Sequence, residues 1–368
     1  MSHWTGATRG GFYEELLIRS TGSLEKAIDP EKLKIVMLEM LNEAGVILQL
    51  YTFACEAILN NNRITGVIME SKSGREAVLA KIVIDASGDG DIAAKAGAPF
   101  IKGRESDGKM QPMTIMFKVA GVDVNRVHFV GGFESSYDIA QGDLQTFAKK
   151  TLPYPAGHVL IYQTTLPGVV TCNMTNCTDV DGTNASDLTA AELVCRSQME
   201  PIVEFLKNYV PGFENCYLIS SASIIGVRET RHFIGEYTLT EQDILQAKVF
   251  DDWVVTKAHF NFDVHNISGA GLDETGSQKT FTQNKGYSIP YRCFVPKNID
   301  NLFLAGRNIS GTHMAHSNYR VMPICANMGQ AVGIAAAICS KTNTTPRYLP
   351  VELVQKELIK QGVNIISE

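Results

Sequence analysis

Apolar and polar positions follow two different periods along the chain, and together they predict helices and strands in an α/β order. A helix is predicted to start after Asp29 and the proline that follows it, with apolar residues at helical spacing as far as Gly45. The apolar run 46–51 then predicts a buried strand. The half-polar runs 63–70 and 76–80 alternate with period two and predict an antiparallel meander.

Two short apolar runs, 81–85 and 301–305, predict fully buried strands that each end in a glycine-containing turn. A helix of small residues is predicted at 321–340. The middle of the chain has an α+β texture, with strands predicted at 114–119, 158–163, 169–174 and 218–226 and a helix at 188–208. This layout predicts an α/β fold made of a discontinuous domain, 1–103 and 296–368, interrupted by a second, α+β domain at 104–295.

Composition excludes several classes of protein. The 368 residues are 45% hydrophobic and 20% charged with a net charge of −6, which excludes global disorder. Without a basic stretch no nucleic-acid partner is expected, and without an apolar run of about 18–20 residues no membrane span is expected. The first residues lack the pattern of a signal peptide, so we expect a cytoplasmic protein.

The eight cysteines are scattered through the chain, and no C-x-x-C pair occurs among them. In a chain of this size they are expected to be reduced thiols. Zinc and iron–sulfur sites need closely spaced cysteines, so no metal site is predicted.

Gly88, Gly90 and Ala93 follow the predicted strand 81–85 at the spacing G-x-G-x-x-A. This spacing is typical of dinucleotide-binding turns. A nicotinamide-binding protein that uses the Gly88 turn is therefore our third and last-ranked hypothesis. The helical stretch that follows is short, and Asp89 and Asp91 would place carboxylates beside a diphosphate. We therefore interpret the segment as a strand-to-helix turn that touches a cofactor at its edge.

The strand 301–305 delivers Gly306 and Arg307 to a strand's carboxyl end, where α/β sheets bind ligands. Pro323 fits the first turn of the helix that follows, whose free amides suit an anion or an electron-rich carbonyl. A plain buried helix of alanine and glycine is the alternative. The adjoining turn favours a cofactor.

Arg228 and Arg231 follow an apolar strand and flank Glu229. They suit either a structural ion-pair cluster or a clamp for a substrate anion, and the sequence favours neither. His265 and His316 are candidate proton carriers near neutral pH, with a structural role as the alternative.

Five segments carry a resemblance to a known family. They are VIDASGDGDIAAKAGAPF (83–100), MQPMTIMF (110–117), GVRETRHFIGEY (226–237), YSIPYRCFVPKNIDNLFLAGRNIS (287–310) and YRVMPICANMGQAVGIAAA (319–337). The sequence resembles FAD-dependent oxidoreductases related in fold to glutathione-reductase-type flavoenzymes, and also the flavoprotein part of the heterodisulfide reductase A subunit. The resemblance implies a Rossmann-like FAD-binding domain with a central parallel sheet and a mixed-sheet substrate domain.

The resemblance also assigns roles to matching positions. It implies that FAD is held by Ser87, Gly88, Gly306, Arg307, Met322, Pro323, Gly329 and Gln330. It implies a substrate between the middle domain and the flavin, which gives a hydride to flavin N5. Arg228, Arg231 and His265 are the substrate-side candidates, and His316 is the candidate proton carrier.

The sequence departs from this family in two ways. Members begin with a strand, a G-x-G-x-x-G turn and a helix, whereas the segment 10–15 corresponds to family sequence downstream of that unit. We therefore expect this chain alone to bind FAD weakly or not at all. The alternative hypothesis is a truncated, non-catalytic remnant or a subunit that needs a partner segment to bind FAD. The cysteine runs that hold iron–sulfur clusters in heterodisulfide reductases are also absent.

Overall fold

The computed structural model describes residues 10–23, 28–130, 135–271 and 285–363. The first nine residues, on which the expectation about a signal peptide rests, lie outside these ranges. The chain divides into two compact units. We call Ser106–Thr230, with the described residues from Asn261 onward to 271, the middle unit. The terminal unit comprises the described residues up to Glu105, Arg231–Phe260 and 285–363.

The middle unit begins at Ser106, close to the predicted start at 104, but 231–260 and 285–295, both predicted to belong to that domain, lie in the terminal unit. The helices are Gly11–Thr21 (α1), Pro30–Glu43 (α2), Asp91–Lys95 (α3), Leu144–Thr151 (α4), Ala185–Ser197 (α5), Met199–Tyr209 (α6), Glu241–Leu245 (α7), His313–Tyr319 (α8), Met322–Thr342 (α9) and Val351–Lys360 (α10). The strands are Thr52–Asn60 (β1), Arg63–Ser71 (β2), Gly74–Leu79 (β3), Val83–Asp85 (β4), Phe100–Lys102 (β5), Phe117–Ala120 (β6), Asp138–Ile139 (β7), Gly142–Asp143 (β8), Ile161–Gln163 (β9), Val170–Cys172 (β10), Tyr217–Ser221 (β11), Arg231–Phe233 (β12), Trp253–Ala258 (β13), Tyr287–Pro290 (β14) and Leu302–Leu304 (β15).

The middle unit is built on an antiparallel sheet in the order β11-β6-β10-β9. Phe117 and Val119 of β6 are buried, as period two requires for a strand with one face in the core. They belong to the same apolar core as Ile202, Phe205 and Leu206 of α6. The helix predicted at 188–208 is two helices, α5 and α6, because the helix is interrupted at Gln198.

The terminal unit contains one parallel strand pair among its described strands, β4 with β15, in which Asp85 lies opposite Leu304. The predicted meander is present as the antiparallel sheet β1-β2-β3. The pairs β5–β12 and β13–β14 are also antiparallel. The described part of the chain therefore mixes helices and strands, but it does not contain the central parallel sheet that was predicted.

The segment 46–51 accounts for part of this difference. It is predicted as a buried strand, yet 46–50 forms no strand, and Ile47 and Tyr51 are 97% and 94% exposed. Tyr51 has a positive φ of 56°, which interrupts an extended chain. The prediction of a buried strand here is wrong, because no described strand pairs with the segment and nothing described covers it.

Helix α9 is the central helix of the terminal unit. It contacts α1, α10 and β13 and lies against β4 and β15. Its 21 residues are long and apolar enough to cross a bilayer by length and composition, so the prediction that no run reaches that length is wrong. The apolar length of this helix comes largely from glycine and alanine, whereas the prediction considered large apolar side chains. The helix packs against α1, α10 and β13, and 44% of its most apolar 18-residue window is buried.

Candidate functional site

The parallel pair of the terminal unit brings two turns to one edge, as the carboxyl ends of parallel strands do. The backbone N–H of Ala305 donates to the Asp85 carbonyl at 3.0 Å. The side chain of Asn308 donates to the same carbonyl at 3.0 Å and accepts from Ala305 N–H at 3.1 Å. Asn308 therefore fastens the two turns together, a role that the sequence did not suggest.

The carboxylate of Asp85 holds the first turn in place. Its Oδ1 accepts hydrogen bonds from the Ser87 backbone N–H at 3.0 Å and from the Ser87 hydroxyl at 2.7 Å, while Oδ2 accepts from Ala93 N–H at 2.7 Å. The last bond ties the turn to α3, which is only five residues long. A crossover helix is therefore missing from this position, as the sequence indicated, and the predicted cofactor residue Ser87 lies in a locked turn.

Two glycines of this edge have positive φ angles, 86° at Gly88 and 84° at Gly306, which favour glycine. A side chain at Gly88 would collide with the Arg307 guanidinium, so the close approach of Arg307 requires glycine there. At Gly306 the opposite holds, since no described atom lies within 4 Å of the position a Cβ would take. The edge therefore offers open backbone at Gly306 next to a fixed cation.

The two aspartates of the turn are both paired with arginines of the same unit. Asp89 lies 3.2 Å from the Arg307 guanidinium, and Asp91 lies 2.8 Å from the Arg231 guanidinium. Arg231 also donates to the Asp89 carbonyl at 2.8 Å and lies 5.3 Å from the centre of the Phe100 ring. These pairings balance the negative charge that the sequence placed at this turn. Arg231, a predicted substrate-side residue, belongs to this edge.

Helix α9 contacts the turn that contains Gly306 and Arg307, and the charge of Arg307 acts on Cys325 near the amino end of the helix. Pro323 is in its first turn and Met322 is 44% exposed there. No side chain caps this end, so its first backbone N–H groups, with the positive end of the helix dipole, can meet a negative group. Burial raises the pKa of the Cys325 thiol to about 12, although the positive charges of Arg307 and Arg320 act to lower it.

The remaining predicted cofactor residues lie further along α9. Gln330 accepts from the Phe12 backbone N–H at 3.1 Å and donates to the Gln361 side chain at 2.9 Å. Its amide therefore links α9 to α1 and to the end of α10. Gly329 leaves open space at the position of a Cβ within the described part of the chain.

Helix α8 carries buried polar side chains in the terminal unit. The His316 ring is buried and lies edge-on to His232, with 4.9 Å between ring centroids. It also packs 5.5 Å from the Tyr319 ring. Asn318 accepts a hydrogen bond from the Tyr287 hydroxyl at 2.7 Å. The structure thus places the predicted proton carrier His316 beside a second imidazole. This neighbour could not be predicted, because His232 is far from His316 in the sequence.

A second site lies in the middle unit, where Arg228 and His265 line one small cavity of about 20 Å³. That volume is enough for about one water molecule. Arg228 donates to the Pro112 carbonyl, and His265 Nε2 lies 3.5 Å from Asp263. The structure therefore brings these two predicted substrate-side residues together. The cavity's other lining residues are Pro155, Gly157, His158, Asn173, Met174, Thr175, Asn176, Ala270 and Gly271.

Asn176 shapes this cavity, and the sequence analysis did not identify it. Its side chain donates to the Pro155 carbonyl at 3.1 Å and to the Gly269 carbonyl at 2.9 Å. Gln198 holds the Asn176 backbone by accepting from its N–H and donating to its carbonyl, both at 2.8 Å. Because these partners come from distant segments, no local motif could have indicated the arrangement.

Comparison with known proteins adds a family to this geometry. A model of the family described as FAD dependent oxidoreductase matches residues 2–358. No curated protein matches the chain at a significant level.

Solved structures show distant likeness. A geranylgeranyl bacteriochlorophyll reductase-like protein from Thermoplasma acidophilum is 14% identical with a TM-score of 0.44, and the match covers 91% of this chain and 59% of that one. The flavin-dependent brominase Bmp2 is 9% identical with a TM-score of 0.39, covering 91% and 60%. The anhydrotetracycline hydroxylase OxyS from Streptomyces rimosus is 10% identical with a TM-score of 0.39, covering 97% and 53%. The chain thus spans about three fifths of the length of the first two proteins and about half of the length of the third.

Proposed function

The chain belongs to the FAD dependent oxidoreductase family, and we propose that it transfers a hydride from a small organic substrate to N5 of FAD. FAD is the cofactor of the family. The observation that carries the proposal is the edge of the terminal unit, where open backbone at Gly306 lies beside the fixed guanidinium of Arg307. When bound, FAD supplies the two-electron redox chemistry of the reaction.

The residues of this edge fit a flavin nucleotide. We propose that the Gly88 and Gly306 turns contact the sugar and phosphate part of the cofactor, because Gly306 leaves open space at its Cβ position and Gly88 admits the Arg307 guanidinium. Arg307 provides positive charge toward the diphosphate, and Asp89 fixes the orientation of that side chain. Ser87, held by Asp85, keeps the first turn rigid.

The amino end of α9 is the second element of the proposed site. Its uncapped N–H groups near Met322 and Pro323 favour negative charge on a carbonyl or on a reduced flavin ring. Gly329 keeps the same helix face small. Gln330 acts indirectly in this proposal, since its amide holds α1 against α9.

Substrate handling is proposed for the middle unit. Arg228 suits a carboxylate or another anion, and His265 lines the same cavity and can accept or donate a proton. In the terminal unit, His316 is the proposed proton carrier, with His232 beside it. Arg231 is proposed to act by holding the turn that contains Asp89 and Asp91.

A titration of the purified full chain with FAD tests the proposal. We expect saturable quenching of flavin fluorescence at one FAD per chain, with low affinity for this chain alone and no comparable binding of NAD. Saturable binding of NAD without FAD would instead support the nicotinamide hypothesis.

One observation favours a second candidate, in which the chain is a subunit that needs a partner segment to hold FAD. The apolar residues of 46–51, including Ile47 and Tyr51, are exposed, and Ile84 of β4 is 39% exposed. A supplied strand-and-helix unit could cover such a surface. Under this hypothesis FAD binds only after co-expression with the glycine-rich βαβ unit of another family member. FAD binding by the chain alone would contradict it.

A further inference from the structure

A cavity of about 600 Å³ opens in the terminal unit, away from the residues assigned above. Its volume lies in the range of small-molecule sites, about 300–1,000 Å³. The lining residues are Glu236, Tyr237, Lys248, Val249, Phe250, Asp251, Asp252, Tyr291, Arg292, Val295, Pro346, Arg347, Leu349 and Val351.

Two lining cations are fixed by carboxylates without using all their donors. Arg292 donates to Asp252 through Nε at 2.9 Å and Nη2 at 3.2 Å, which leaves the N–H groups of Nη1 for other acceptors. Lys248 donates to Asp243 at 2.9 Å and lies 3.4 Å from the Tyr237 hydroxyl, which leaves its third N–H. Both side chains are therefore oriented before any ligand arrives.

The wall beside these cations is aromatic. The rings of Tyr237 and Phe250 meet edge to face at 5.1 Å. The Lys248 ammonium lies 4.4 Å from the Phe250 ring centre, and the Arg292 guanidinium lies 5.0 Å from that of Tyr237. Aliphatic side chains line more of the cavity, among them Leu349. Cation donors thus stand beside a surface that can pack against an apolar body.

We propose that this cavity binds a small organic anion with an apolar body, its acid group held by Lys248 and Arg292. The carboxylates in and around the cavity would repel an anion, but most of them are paired with cations. Asp252 is neutralised by Arg292 and Asp243 by Lys248, while Arg347 pairs with Glu236. The remaining lining carboxylate, Asp251, is exposed and opposes the anion weakly.

The site does not depend on the proposed redox function. The lining residue Arg347 lies 3.2 Å from Asp300, just before the amino end of β15, whereas the cofactor turn follows its carboxyl end. The lining residue Tyr291 packs on Phe303 of the same strand, with 6.0 Å between ring centres. A ligand here therefore contacts two residues, Arg347 and Tyr291, that pack against Asp300 and Phe303 ahead of Gly306.

Three probes with one ring system test the proposal by isothermal titration calorimetry on the full chain. They are 2-naphthylacetate, its neutral amide and 2-naphthylethylamine. We expect the acid to bind at least tenfold more tightly than the amide, and the amine to bind least tightly. Equal affinities, preference for the amine, or no binding of the acid up to millimolar concentration would overturn the proposal.

Substitutions in the lining test whether the acid binds in this cavity, because removing a cation should weaken its binding and removing a carboxylate should strengthen it. Arg292→Gln and Lys248→Gln should each weaken binding of the acid about tenfold, whereas Asp251→Asn should strengthen it two- to threefold. Arg126→Gln is the matched control, because Arg126 forms a similar two-pronged pair with Glu214 in the middle unit. Folding of each variant is checked by thermal unfolding. If the acid binds the Arg292, Lys248 and Asp251 variants like the wild type, the cavity is not its site.

Discussion

The proposed cofactor edge of the terminal unit and the cavity of the middle unit are built in different ways. At the edge, backbone turns are locked by two buried side chains, Asp85 and Asn308. In the middle unit, Arg228 and His265 line a cavity shaped by Asn176 and by side chains from separate segments. We propose the first arrangement for a large cofactor that contacts backbone, whereas the second has room for about one water molecule beside Arg228 and His265.

This difference has a consequence for mutagenesis. Changes at Asp85 or Asn308 should affect folding and FAD binding together, because their hydrogen bonds shape the turns that follow the paired strands β4 and β15. Changes in the cavity should leave FAD binding alone. The predictions below follow the expected size of the effect.

Asp85→Ala should have the largest effect. It removes four hydrogen bonds to a buried carboxylate, including a long one of 3.5 Å from the Asn308 side chain, and leaves the Ala93 N–H without its acceptor. We expect the free energy of unfolding to fall by about 3 kcal/mol or more, measured by urea denaturation. Asp138→Ala, at an exposed position of β7, is the control and should change it by less than about 0.5 kcal/mol. A change as small as that at Asp85 would show that the turn is not locked by this residue.

Asn176→Ala tests the cavity in the same way. The substitution removes the two bonds to the Pro155 and Gly269 carbonyls, so we expect a loss of about 2 kcal/mol of unfolding free energy. Asn125→Ala, at an exposed position of the same unit, serves as the control. If urea denaturation separates the two variants by less than about 0.5 kcal/mol, Asn176 does not hold the cavity together.

Cys325 gives a smaller, pH-dependent effect at the edge. Burial raises the pKa of its thiol to about 12 in the folded chain, whereas an unfolded thiol ionises near 8.5. Above pH 8.5 the unfolded chain therefore binds fewer protons, and stability falls as pH rises. Between pH 8 and pH 10, Cys325→Ala should lose about 2 kcal/mol less unfolding free energy than the wild type. Parallel pH profiles would contradict this account of the thiol.

Arg228→Gln and His265→Gln should produce the smallest change in cofactor binding. Both residues line the middle-unit cavity, so the dissociation constant of FAD should stay within a factor of two of the wild type in fluorescence titrations. A tenfold weaker affinity in either variant would mean that the cavity and the cofactor site are not separate.

Features made by neighbouring residues could be predicted from the sequence. Asp29 caps α2 by accepting from Glu31 N–H at 2.9 Å, with Pro30 in the first turn, as the dipeptide indicated. The glycine turn after β4 and the small-sided helix α9 were predicted for the same reason.

Features made by distant residues could not be predicted. Asn308 and Asp85 are 223 positions apart, so no local pattern could have shown that Asn308 joins the two turns. The run 46–51 failed for a related reason, since an apolar strand pattern gives no information on whether a neighbouring strand covers it. Arg228 and Arg231 are close in sequence, but Arg228 belongs to the middle unit and binds the Pro112 carbonyl, whereas Arg231 belongs to the terminal unit and pairs with Asp91.

An FAD titration of Arg307→Gln tests the central claim most directly. Arg307 is the cation fixed beside the open backbone of Gly306, so its loss should weaken FAD binding at least tenfold while the far-UV circular dichroism stays unchanged. The control Arg126→Gln should bind FAD like the wild type. If the wild-type chain alone does not bind FAD, the wild type and both variants are titrated again after co-expression with the glycine-rich βαβ unit of another family member. Equal affinity of Arg307→Gln and the wild type would contradict the assignment of this edge to the cofactor.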